Sequence, residues 1–83
     1  MEISGTVSYE KHRIQEARNG SRYCWVSVSD RFDNRYSLYD WQSPDETAEF
    51  LDNIEHGMVI FVSADILGGG YYSVKEITDA LPS

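Results

Sequence analysis

Apolar side chains recur at every second position through most of this sequence, and that period of two commits the chain largely to β-strands with one buried face. Ile3, Gly5, Val7 and Tyr9 alternate with Glu2, Ser4, Thr6 and Ser8, so a first strand starts almost at residue 2. Ile14 falls out of phase with that set. An extra residue between Glu10 and Arg13 would account for this, because a bulge shifts every later side chain to the opposite face. Gly5 permits a second bend. Asn19-Gly20 predicts a hairpin with a type I′ turn, in which both residues take positive φ.

Cys24, Val26 and Val28 then alternate with Tyr23, Trp25, Ser27 and Ser29, placing the small apolar set inside a second strand and the aromatics outside. Residues 30–34 read as a loop. In the third strand Tyr36 and Leu38 point inward, with Ser37, Tyr39 and Trp41 outward. The period changes once. Ser43-Pro44-Asp45-Glu46 is a helix start, with Ser43 as cap, Pro44 at the first helical position and Glu46 completing a capping box. Thr47, Phe50, Leu51 and Ile54 share one helical face while Asp45, Glu49, Asp52 and Glu55 stay wet, and Gly57 supplies the stop after about three turns. Residues 58–64 form a fourth strand with Ile60, Val62 and Ala64 inward. Gly68-Gly69-Gly70 reads as a pliable turn into a fifth strand over 71–77, with Tyr72 and Val74 inward.

With 83 residues, the chain has room for one core, so a single domain over residues 1–83 is expected. Cys24 is the only cysteine, which excludes an intramolecular disulfide and points to a reducing, cytoplasmic setting. The start Met1-Glu2-Ile3-Ser4-Gly5 lacks the form of a signal peptide, and the longest apolar run, 58–62, is too short to span a bilayer. Net charge is −7, but unevenly spread: residues 1–35 carry +1 and residues 36–83 carry −8. An anionic partner would meet the N-terminal half.

Three strands, a helix and two strands is the order of a small five-stranded barrel, a mainly β fold of β-β-β-α-β-β connection. The run Arg35-Tyr36-Ser37-Leu38-Tyr39-Asp40-Trp41, the acidic helix with Ala48, Phe50 and Leu51, the segment Gly57-Met58-Val59-Ile60-Phe61-Val62 and the segment 70–77 carry a closer likeness. Together they resemble the C-terminal half of anticodon-binding-type OB-fold domains. The chain departs from that pattern in its acidity and in having Ala64-Asp65 where a glycine usually follows the fourth strand. An SH3-like barrel is the alternative, and the position of the helix between strands three and four decides between them.

The resemblance implies ligand binding on the outer face of strands two and three, bordered by the loops joining strands one to two and four to five. Those positions hold Tyr23, Trp25, Tyr39 and Trp41 as an aromatic platform, Arg18 and Arg22 on one bordering loop, and Tyr71 at the other. Lys11 is a further phosphate contact. A phase one residue out would bury these rings as core, Trp25 first among them.

Enzyme chemistry finds no constellation here. Cys24 on an inward strand position is a packed hydrophobe with no histidine beside it in spacing, and His12 and His56 lack metal-ligand spacing. The triple glycine has no following Lys-Ser/Thr and runs into a strand, unlike a phosphate loop. No cofactor is expected. Two classes of partner remain: single-stranded nucleic acid on the aromatic face, or a basic protein drawn to the acidic half. The oligomeric state is not encoded in these patterns.

Overall fold

The computed structural model describes residues 2–67 and 71–79, the side chain of Tyr71 excepted. In chain order the elements are β1 (Glu2–Glu16), β2 (Arg22–Ser29), β3 (Arg35–Asp40), α1 (Pro44–Leu51), β4 (Val59–Leu67) and β5 (Tyr71–Asp79). The strands close into a barrel of spatial order β1-β2-β3-β5-β4, and the helix falls between β3 and β4, as the resemblance requires. The triple glycine, expected as a turn, lies outside the described residues.

Closure depends on β1 serving two neighbours. Its first half pairs antiparallel with β4, from Glu2↔Asp65 to Ser8↔Val59. Its second half pairs with β2, from Ser8↔Ser29 to Glu16↔Arg22. The register slips between Tyr9 and Lys11, leaving Glu10 as the extra residue. This is the expected bulge, and beyond it His12 and Ile14 turn inward while Lys11 and Arg13 turn out. β4 and β5 slip too: Ser63 faces Glu76 but Ala64 faces Val74, so Lys75 is unpaired and Ile77 rejoins Val74 against the interior. The last joint, β3 with β5, is parallel and short, with Leu38↔Tyr72 and Tyr39↔Ser73 in register.

Cys24, Val26 and Val28 are at most 1% exposed, which fixes the phase of β2. Tyr9, Leu38, Leu51, Ile60, Val62, Ala64 and Val74 complete the buried set. Each large aliphatic chain buried here stabilises the fold by roughly 1.5–3 kcal/mol. Ile3, read as inward, is instead substantially exposed. It lines an open hollow of about 410 Å³ with Val7, Val28, Leu38, Ile66 and Tyr72, and no helix residue closes that end.

Four local expectations are corrected. The β1–β2 connection is not a type I′ turn. Gly20 N–H donates to the Ala17 carbonyl and Gly20 alone takes positive φ, at 86°, while Ser21 N–H is held by the Asn19 side chain at 3.0 Å. The helix is shorter than expected, ending at Leu51, although tight turns carry Ile54 N–H to the Leu51 carbonyl and keep Ile54 against the core. Its cap is also different. Ser43 makes no side-chain capping bond. Asp40, on the inward phase of β3 and only 4% exposed, accepts the N–H of Gln42 and of Ser43 at 3.0 Å each and the hydroxyl of Thr47. A carboxylate fixed by the sheet takes the Ser43 N–H that Glu46 would accept in a capping box. Gly57 is not the helix stop: Asp52 is the C-cap, and Gly57, with φ of 91°, sits in the following turn with its N–H on the Tyr9 carbonyl at 2.7 Å.

Candidate functional site

A strand whose alternate residues fill a barrel must present the others outward. The β2 residues outside are Tyr23, Trp25 and Ser27, and strand register extends each into a row across three strands. Gln15 faces Tyr23, with Trp41 just beyond the end of β3. Below it, Arg13 faces Trp25, which faces Tyr39. Below that, Lys11 faces Ser27, which faces Ser37.

The upper two rows are aromatic. The Tyr23 and Trp41 rings lie with centroids 4.5 Å apart, tilted by 35°, and the Tyr23 and Tyr39 rings lie 5.8 Å apart. The three rings thus form one continuous cluster in the offset contact range. Trp41 is 39% exposed. The Tyr23 hydroxyl donates to Gln15 Oε1 at 2.6 Å, which holds the ring in place from the β1 side. Trp25 has the Lys11 ammonium over its face, 5.5 Å from the centroid.

The cations divide into two groups. Lys11, Arg13 and Arg18 are exposed along β1 and the loop that follows it. Arg22 is committed: it forms an ion pair with Asp45 in the first turn of α1, with Nη2 2.9 Å from Oδ1. That pair ties β2 to the helix and takes Arg22 away from the aromatic cluster. Tyr71 lies in β5 opposite Leu67, with its side chain outside the described residues.

The lower row differs. The bulge turns the Glu10 side chain onto this face, where Oε1 accepts the Ser27 hydroxyl at 3.1 Å and Oε2 lies 3.6 Å from Arg35 Nε. Beneath the face, Cys24 is buried, and burial first, then the charge of Asp40, pushes its thiol up to about 11. It is no nucleophile at neutral pH. His12 bridges the Tyr9 hydroxyl and Asp52, at 2.5 and 2.9 Å, as a strut between β1 and the end of the helix. Burial and the charge of Asp52 hold the Tyr9 phenol above its ordinary value. Among the described residues no group of three or more His, Cys, Asp or Glu side chains could hold a metal ion. Among the described residues no helix is long and apolar enough to cross a membrane.

Arg13, Gln15 and Glu10 are the residues that sequence reasoning missed. Their signal was present in the out-of-phase Ile14, which implies that Arg13 and Gln15 must sit outside.

A closed five-stranded barrel with a helix between β3 and β4 and an outward aromatic face on β2 and β3 is an OB-fold. No family model and no curated protein matches the chain. Solved structures do. The mitochondrial single-stranded DNA-binding protein Rim1 of S. cerevisiae superposes with a TM-score of 0.78 at 20% identity, covering 96% of this chain and 93% of that one. A second crystal form of Rim1 gives 0.74 at 19% identity, over 96% and 95%. The SSB domain of a Synechococcus sp. protein gives 0.67 at 11% identity, over 93% and 92%. These neighbours share the fold and do not speak to the anticodon-binding variety of it.

Proposed function

We propose that this domain is a non-catalytic binding module for single-stranded nucleic acid, using the upper outer face of β2 and β3 with β1 as its cationic border. The observation that carries the reading is the continuous cluster of Tyr39, Tyr23 and Trp41 beside Trp25, on the one face that Lys11 and Arg13 also border. Bases stack on such rings without regard to sequence, while phosphates meet the cations. In this arrangement the bases lie toward β3 and the phosphates toward Lys11, Arg13 and Arg18. The fold-level likeness to single-stranded DNA-binding proteins supports the same class of ligand.

Both tryptophans of the chain lie on this face, Trp41 in the ring cluster and Trp25 beside it, so intrinsic fluorescence reports on the site directly. Titration with a short oligothymidylate at low salt is expected to quench it. Trp25→Ala should weaken binding by about 1–3 kcal/mol, the range for one lost stacking partner. Three phosphate contacts give a log–log salt slope of roughly −2. Binding that ignores both salt and Trp25→Ala would remove the reading.

The exposed acids of the helix and the turn after it, Asp45, Glu46, Glu49, Asp52 and Glu55, favour a second reading as a surface for a basic protein. Failure of every oligonucleotide to perturb either tryptophan would leave that reading in its place.

A further inference from the structure

We infer that Glu10 sets the lower limit of the ligand footprint and makes this domain a reader of short single-stranded segments; the inference rests on the nucleic-acid reading above. The bulge exists because β1 carries one residue more than β2 between Tyr9 and Lys11, and that residue is an acid turned onto the binding face. Its carboxylate is not a mobile surface charge. Only 18% of the Glu10 side chain is exposed, and it is held by the Ser27 hydroxyl and by Arg35, whose own side chain is 78% exposed.

Two effects follow. The fixed negative charge sits on Ser27, below the Lys11 ammonium that reaches up over Trp25, and repels a phosphate that would continue down the face past that point. It also pairs with Arg35, the cation one row further down β3 beyond Ser37. The lower row offers Ser27 and Ser37 in place of rings, so stacking stops where the charge begins. A ligand running down the face, bases toward β3 and phosphates toward β1, is left with the upper two rows, which lie two residues or about 7 Å apart along the strands. The upper end is open beyond Trp41, so the footprint comes to about 4 nucleotides, the short end of the range for one OB domain.

The test is affinity against length for oligothymidylates of 2 to 16 nucleotides, measured by tryptophan quenching on the full chain and on Glu10→Gln. Glutamine keeps an acceptor for Ser27 and removes the charge, and circular dichroism checks that the variant is folded. The native chain should gain affinity steeply to about 4 nucleotides and then only statistically. Glu10→Gln should bind longer strands roughly three- to tenfold more tightly at low salt, with a salt slope steeper by about 0.7, the signature of one added phosphate contact. A native plateau beyond about 8 nucleotides, or a folded variant whose length profile and salt slope match the native ones while Arg13→Ala still weakens binding, overturns the inference alone. Absence of binding at every length overturns it together with the reading on which it rests.

Discussion

Cys24 and Trp25 are adjacent in sequence and meet opposite environments, which shows how completely the pleat of β2 sorts its side chains. The thiol is fully enclosed and its pKa is raised to about 11 by burial and the nearby Asp40 charge. Two results are expected. Native protein at pH 8 should resist iodoacetamide on a timescale that modifies denatured protein completely. Stability should also fall as pH rises through the window between the ordinary thiol value of 9.0 and about 11, because the unfolded chain ionises there while the folded chain keeps its proton. Urea melts at pH 8 and pH 10.5 check the sign, with Cys24→Ala as the variant in which this contribution disappears. The inward set of β2 was legible because Cys24, Val26 and Val28 are small and apolar while their neighbours are not. Asp40 was not legible, since a buried carboxylate makes sense only once the amides of Gln42 and Ser43, in the turn that leads into the helix, have been placed beside it.

At the scale of elements, the helix shows where local grammar and tertiary structure part. Pro44 at the first position and acids in the first turn foretold where α1 starts. The identity of the cap was decided by the sheet, because β3 ends on Asp40 with its carboxylate already beneath the amides of Gln42 and Ser43. Removing that carboxylate leaves two backbone donors and the Thr47 hydroxyl without their partner. Asp40→Ala should therefore cost about 3 kcal/mol, whereas Ser43→Ala should stay within about 0.5 kcal/mol. Thermal or urea unfolding of the two variants separates them. An equal loss for both would return the capping role to Ser43. The bulges fared in the same uneven way: the one in β1 is signalled by Ile14, while the slip at Lys75 becomes visible only when β4 lies alongside.

For the whole molecule, the order of strands and helix could be read from the period of the apolar residues, and barrel closure followed from the resemblance that this order suggested. The uneven charge could also be read, with the exposed cations of β1 on the aromatic side. What the pattern could not contain is the strength of each joint, because that depends on how many residues two strands share. β1 shares long ladders with both neighbours, but β3 and β5 meet in register at Leu38↔Tyr72 and Tyr39↔Ser73. Tyr39 thus belongs at once to the ring cluster and to the shortest joint of the barrel. Breathing of the closed sheet should begin there, at a free energy well below that of global unfolding. In native-state hydrogen exchange the amides bridging β3 and β5 are expected to exchange ahead of those between β1 and β2, and a ligand stacked over Tyr39 should slow them selectively. Occupancy of the outer face would then act as a latch on the barrel, and the same residue would report ligand and closure together.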